Sequence, residues 1–199
     1  DLPAGTLAIG DWVLSDGQRV LRRLDPKTLL SRRAAGTGHA AQLIAANVDT
    51  LFIVTSCNAD FNPARLERYL ALANEAGTHP VIVLTKADTL EDAAEYLLQA
   101  RALQRDQIAV SLNAKSPEAA EILAPWCGNG QTVALVGSSG VGKSTLLNTL
   151  VGPEQDAPQA TGGIREGDDK GRHTTTARSL HALPSGGWVI DTPGMRSLP

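Results

Sequence analysis

The chain has 199 residues, 42% hydrophobic and 20% charged, a balance that fits one ordinary globular domain, or one domain with part of another. Its formal net charge of −3 gives no global pull toward nucleic acid, so any RNA contact must be a local patch. No apolar run approaches the roughly 18 residues of a membrane span, the first residues lack the basic-then-apolar pattern of a signal peptide, and two isolated cysteines, Cys57 and Cys127, make neither a disulfide framework nor a four-ligand zinc site, as expected of a cytoplasmic chain.

Residues 1–35 read as short β segments. Gly10-Asp11-Trp12-Val13-Leu14 and Gln18-Arg19-Val20-Leu21 flank Asp16-Gly17, a strong hairpin signal. Two or three strands cannot form an independent core, so the stretch reads as what remains of a small β-barrel whose earlier strands are absent. Residues 1–36 carry six Lys/Arg against four Asp, a weak basic bias that a solvated polar face explains at least as well as an RNA contact. Residues 36–46, with Gly36 and Gly38, read as a linker.

After the linker the pattern changes. Leu51-Phe52-Ile53-Val54 is a continuous apolar run, as in a strand buried on both faces. Asn62 and Pro63 are cap and first-turn residues of a helix ending near Gly77, with Leu66, Leu70 and Ala73 as its apolar stripe. Strands are expected at Pro80–Leu84, Gln107–Val110 and Thr132–Val136, and helices at 89–105, 117–123 and from Lys143 to Leu150. The first of these helices opens on a Thr89 cap, with Glu91 and Asp92 in its positive first turn. The stretch from Gly152 to about Arg172 has no periodicity and reads as a loop. Ala177–Leu183 and Gly187–Ile190 form a hairpin around Pro184-Ser185-Gly186. Strands alternating with helices imply a mostly parallel sheet covered on both faces. Trp12, Trp126, Trp188 and both cysteines read as packing residues.

Gly137-Ser138-Ser139-Gly140-Val141-Gly142-Lys143-Ser144 matches G-x-x-x-x-G-K-[ST] at every fixed position, between an apolar strand and a helix. The glycines let successive N–H groups turn inward around a polyphosphate, and the helix, from Ser144 and Thr145 onward, adds its positive end. Lys143 should reach the β- and γ-phosphates and Ser144 should ligate Mg²⁺. Asp191-Thr192-Pro193-Gly194 follows the apolar Trp188-Val189-Ile190, which places an acid where it can hold Mg²⁺ and a glycine whose N–H can meet the γ-phosphate. Thr85-Lys86-Ala87-Asp88 ends the strand before it, where open α/β sheets bind ligands. It resembles the [NT]-K-x-D motif of GTPases. Asp88 can accept from guanine N1–H and the exocyclic amine, a donor pair adenine lacks, while the Lys86 stem lies along the base. Ser111-Leu112-Asn113-Ala114-Lys115 resembles the S-A-K loop whose N–H meets guanine O6, and two registers fit: Ser111-Leu112-Asn113 or Asn113-Ala114-Lys115.

In this chain the base-reading motifs precede the phosphate loop, and Asp191–Gly194 comes last. Circular permutation of the domain can still build one site from that order. Together with Ile44-Ala45-Ala46-Asn47-Val48-Asp49, Arg68-Tyr69-Leu70, Gly171-Arg172-His173-Thr174-Thr175-Thr176 and Asp191–Arg196, the sequence resembles the ribosome small-subunit-dependent GTPase A family (RsgA, also YjeQ) along nearly its whole length. The resemblance implies an α/β P-loop NTPase G domain of circularly permuted topology at 37–199, preceded by a partial OB-fold β-barrel at 1–36. The family's C-terminal zinc domain is not expected here, since the sequence ends five residues after Gly194, and with it Zn²⁺. Implied are hydrolysis of GTP to GDP with Mg²⁺, stimulation by the 30S subunit, contact with 16S rRNA during late small-subunit maturation, a monomeric state and no membrane association.

Hydrolysis should proceed by in-line attack of water on the γ-phosphate. Thr174–Thr176 should include the loop threonine that ligates Mg²⁺, here taken as Thr175. Met195 stands where many GTPases carry a water-orienting Gln, so intrinsic turnover should be slow. His173 is a candidate substitute, although a surface histidine without a role accounts for it equally well. Two competing readings are an ATP-using P-loop enzyme, against which Asp88 argues, and an rRNA-binding module, in which Lys143, Ser144 and Asp191 would be surplus.

Overall fold

The structure is a computed structural model, described over residues 6–33, 41–86, 93–152 and 178–192. Four short strands come first: β1 (Val13–Ser15), β2 (Val20–Arg23), β3 (Leu29–Arg33) and β4 (Ala41–Ala46). They pair as two antiparallel hairpins, β1 with β2 and β3 with β4. The first hairpin turns over residues 16–19, a wider loop than Asp16-Gly17 alone. There Asp16 Oδ1 accepts from the amides of Gln18 (2.9 Å) and Arg19 (2.7 Å), and these bonds hold its carboxyl below the usual aspartate range.

Residues 41–46 differ from the linker expected of them. Ile44, Ala45 and Ala46 are fully buried, and the first two share a core with Leu30 and the following helix. That burial, supplied by tertiary partners, turns a weakly patterned stretch into a strand. Gly36 and Gly38 lie outside the described residues.

The main body alternates β5 (Thr50–Ser56), α1 (Pro63–Ala76), β6 (His79–Thr85), α2 (Ala93–Ala102), β7 (Ile108–Ser111), α3 (Glu118–Leu123), a single 3-10 turn, β8 (Thr132–Gly137), α4 (Lys143–Val151), β9 (Ser179–Ala182) and β10 (Trp188–Asp191). Its six strands lie in the order β7-β6-β5-β8-β10-β9, all parallel except the edge strand β9. All seven residues of β5 are buried, as the apolar run requires of a strand covered on both sides. Leu51, Ile53, Ile82, Leu84, Ala134 and Val136 face α1 and α2, while Phe52, Val54, Val81, Val83, Val133 and Leu135 face α3 and α4. This alternation follows from the two-residue period of a strand.

Helix α1 starts where its cap signals place it. Asn62 Oδ1 accepts from the amide of Arg65 at 3.0 Å, Pro63 opens the helix and Gly77 closes it. Asp49 governs the start of β5. Its amide donates to the Thr132 carbonyl and its carboxylate accepts the Thr132 amide, both at 2.8 Å, while its carbonyl accepts from His79 at 2.9 Å. One residue thus aligns three central strands.

Of the tryptophans, Trp126 packs edge-on against Phe52 (6.1 Å between centroids) as expected, but Trp12 is 70% and Trp188 44% exposed. Trp12 lies outside any core because the two-stranded hairpin that carries it has no covering layer among the described residues. Burial pushes the Cys127 thiol up to about 11 and raises that of Cys57, so both stay protonated and serve in packing.

Candidate functional site

Strand order fixes where a ligand can bind. From β5 the chain steps outward to β6 and β7, then returns to place β8 on the other side of β5. The carboxyl ends of β5 and β8 therefore border the crevice at which the winding reverses, the position at which open α/β sheets take ligands. The glycine-rich turn from Gly137 to Ser144 leaves β8 at that crevice.

Backbone shape in this turn follows from residue type. Gly137 (φ +145°) lies so close to β5 that a Cβ would stand 2.2 Å from the Val54 carbonyl oxygen. Gly142, at φ +97°, forms the start of α4 without any side-chain cap, which leaves the first amides of that helix for a ligand. Val141 is 1% exposed and anchors the turn in the core below. Lys143 Nζ folds back over the turn and donates to the carbonyls of Gly137 (2.8 Å) and Ser138 (3.1 Å). An ammonium on two neutral carbonyls exchanges them readily for charged phosphate oxygens.

The motif ending β6 meets this turn directly. Thr85 is buried, and its hydroxyl donates to the carbonyls of Thr55 (3.1 Å) and Val141. Thr85 and Val141 lie 56 positions apart, so the hydroxyl joins the end of β6 to the glycine-rich turn. Lys86 follows with a left-handed backbone (φ 58°) and an exposed side chain. Thr85→Val keeps the shape and removes the donor. It is expected to cost about 1–3 kcal/mol, seen as a thermal midpoint roughly 5 °C lower; an unchanged midpoint would deny the tether.

The loop after β7 is held from the same helix. Thr149 Oγ1 on α4 donates to the Ala114 carbonyl at 2.6 Å, and Asn113 Oδ1 accepts the Lys115 amide at 2.9 Å. Leu112 points away from the crevice: its side chain is 3% exposed and its amide already donates to Leu84 at 2.9 Å. Lys115 instead shares a cavity of about 570 Å³ with Thr145, Asn148, Thr149, Val151 and Gly152.

On the other side of β8, Asp191 ends β10 in register with Leu135, and the Thr192 hydroxyl donates to the Leu135 carbonyl at 2.7 Å. Ser144, exposed in the first turn of α4, and Asp191 present hard oxygen donors. No cluster of three or more His, Cys, Asp or Glu occurs among the described residues. A hydroxyl and one carboxylate suit Mg²⁺, which keeps waters and takes the rest of its shell from phosphates. Asp88, His173, Thr175 and Gly194 lie outside the described residues.

The sequence reading did not single out Arg65 or Thr149. Arg65 Nη1 donates to the Ser138 hydroxyl. Its one sequence signal is a cation in the first turn of a helix, where acids are favoured. Thr149 gives no signal before its partner loop is known.

A family model described as RsgA GTPase matches residues 23–199. Over 196 residues the chain is 70% identical to a small ribosomal subunit biogenesis GTPase RsgA from Mesorhizobium japonicum, covering 98% of this chain and 56% of that protein. It is 55% identical over 193 residues to an RsgA 2 of the same description from Vibrio vulnificus, covering 96% and 54%. Among solved structures, YjeQ from Thermotoga maritima superposes with a TM-score of 0.63 at 26% identity, over 95% of this chain and 61% of that one. YloQ, described as a circularly permuted GTPase, gives 0.61 at 25%, over 98% and 59%. The chain spans about half the length of the curated relatives it matches.

Proposed function

The chain belongs to the RsgA GTPase family, and on that premise we propose that it binds a guanine nucleotide and hydrolyses GTP to GDP and phosphate, in the cytoplasm, in the service of small ribosomal subunit maturation. The observation that carries the reading is the Thr85 hydroxyl on the Val141 carbonyl: the strand that leads to Asp88 is bonded to the phosphate turn despite the reversed order of the motifs. One nucleotide can then meet both.

In this reading the amides of 138–144 and Lys143 cradle the β- and γ-phosphates, with Thr145 beside them. Asp88 reads the guanine edge and Lys86 lies along the ring. The base loop takes the Asn113–Lys115 register, because the Leu112 amide is already bonded and Lys115 borders the cavity beside Thr145. Ser144, Asp191 and Thr175 would hold Mg²⁺, which neutralises phosphate charge when bound. Gly194 offers its amide to the γ-phosphate. His173 is the candidate to orient water, since Met195 has no group for it. Strands β1–β3, within 1–36, belong to an OB-fold barrel and 37–199 to the G domain, with β4 pairing across the boundary. The 30S subunit, contacted through 16S rRNA, is the partner that stimulates turnover.

GTP turnover by the full-length protein with and without purified 30S subunits tests the activity: stimulation is expected, and no phosphate release in either condition would end it. Base identity is tested separately. Asp88→Ala should weaken GDP binding on the order of 10²-fold, because two hydrogen bonds to a charged acceptor are lost, and should erase the preference for GTP over ATP in competition. Retained preference would remove Asp88 from base recognition.

A further inference from the structure

The phosphate turn is approached by two cations from opposite faces of the sheet. Lys143 comes from α4, whose residues pack on the Phe52 face, and Arg65 comes from α1, which packs on the Leu51 face. They end on the same residue: Lys143 Nζ donates to the Ser138 carbonyl at 3.1 Å and Arg65 Nη1 to the Ser138 hydroxyl. Among the described residues Arg65 forms no ion pair with a carboxylate. The nearby Asp60 carboxylate lies instead toward Ser56, 3.5 Å from its hydroxyl.

Arg65 is also held where a cation is disfavoured. It is the third residue of α1, its amide bonded to the Asn62 cap, so a cation is carried on the positive first turn of that helix. No acid occupies the first turn to offset it. A capped helix fixes the backbone, and a planar fork of donors is aimed at the loop that takes phosphate. Such a fork matches two oxygens of one phosphoryl group, as an ammonium cannot.

We infer that Arg65 is a catalytic arginine supplied in cis, which leaves the Ser138 hydroxyl to bind the γ-phosphate of GTP and stabilises its charge as it transfers. This rests on the GTPase reading above. In the step, a water oxygen bonds to the γ-phosphorus while the bond from that phosphorus to the β–γ bridging oxygen breaks. The bridging oxygen leaves with its electron pair on GDP, and the water protons pass to phosphate and solvent. Arg65 donates hydrogen bonds to the non-bridging oxygens and exchanges neither electrons nor protons.

The test uses the full-length protein and its variants Arg65→Ala and Arg65→Lys, with GDP, GTP and GDP plus aluminium fluoride as probes. Arg65→Ala should bind GDP within about 3-fold of wild type, lose on the order of 10³-fold in turnover, and fail to capture aluminium fluoride with GDP. Arg65→Lys should recover only a small part, since the fork is lost. Turnover and aluminium fluoride capture within about 3-fold of wild type in Arg65→Ala would overturn the assignment. So would an equal loss of GDP binding, which marks a residue needed only for the shape of the loop. A wild-type protein that binds no GDP would instead remove the GTPase reading itself, and the assignment with it.

Discussion

Lys143→Ala is expected to lower GTP turnover on the order of 10²–10³-fold, the usual effect of removing one preorganised donor from developing charge. The surroundings of Lys143 explain why the loss falls on chemistry more than on folding. Lys143 holds two loop carbonyls at 2.8 and 3.1 Å. Those are ordinary hydrogen bonds to neutral acceptors at a partly exposed site, each contributing about 1 kcal/mol. Against a polyphosphate the same ammonium meets several formal charges inside a turn of amides that cannot follow it. Single-turnover phosphate release at saturating GTP reads the effect. Wild-type turnover in Lys143→Ala would mean that phosphate is held somewhere other than this turn.

Gly137→Ala should destabilise the protein strongly. Its Cβ would stand 2.2 Å from the Val54 carbonyl oxygen, a backbone atom paired with Gly137 across β5 and β8. The strand cannot give way, because Val54 and its neighbours are buried on both faces. Overpacking and an L residue at φ +145° together cost about 4 kcal/mol. That is a large share of the roughly 5–15 kcal/mol that keeps a domain folded. The thermal midpoint should fall by about 10 °C, followed by circular dichroism. A shift under about 2 °C would show that β5 and β8 can part at that point.

Much of this was legible in the sequence because the relevant signals are local. A continuous apolar run, an Asn-Pro cap or a glycine-rich turn before a helix needs no knowledge of what it will touch, and β5, α1 and the 137–144 turn appear where those signals put them. What escaped depends on partners. Residues 41–46 become a strand through β3 and the core beneath α1, neither of which their own pattern announces. The loop after β7 fits two registers in sequence because residue types alone do not say which amides are already bonded, as that of Leu112 is to Leu84. Arg65 and Thr149 gain meaning from residues 73 and 35 positions away. Trp12 failed in the other direction, since an aromatic reads as core in a sequence whatever its hairpin does with it.

Asp49 carries a consequence beyond its own hydrogen bonds. It grips Thr132 twice and His79 once, at the amino ends of β5, β8 and β6, while the loops of the candidate site leave their opposite ends. Parallel strands of matched length deliver their tips level only if their starts are level. A slip of one position would displace a tip by about 3.3 Å along the sheet and turn every side chain to the wrong side. Alignment at the candidate site is thus set some 20 Å away, by a carboxylate at the far end of the same strands.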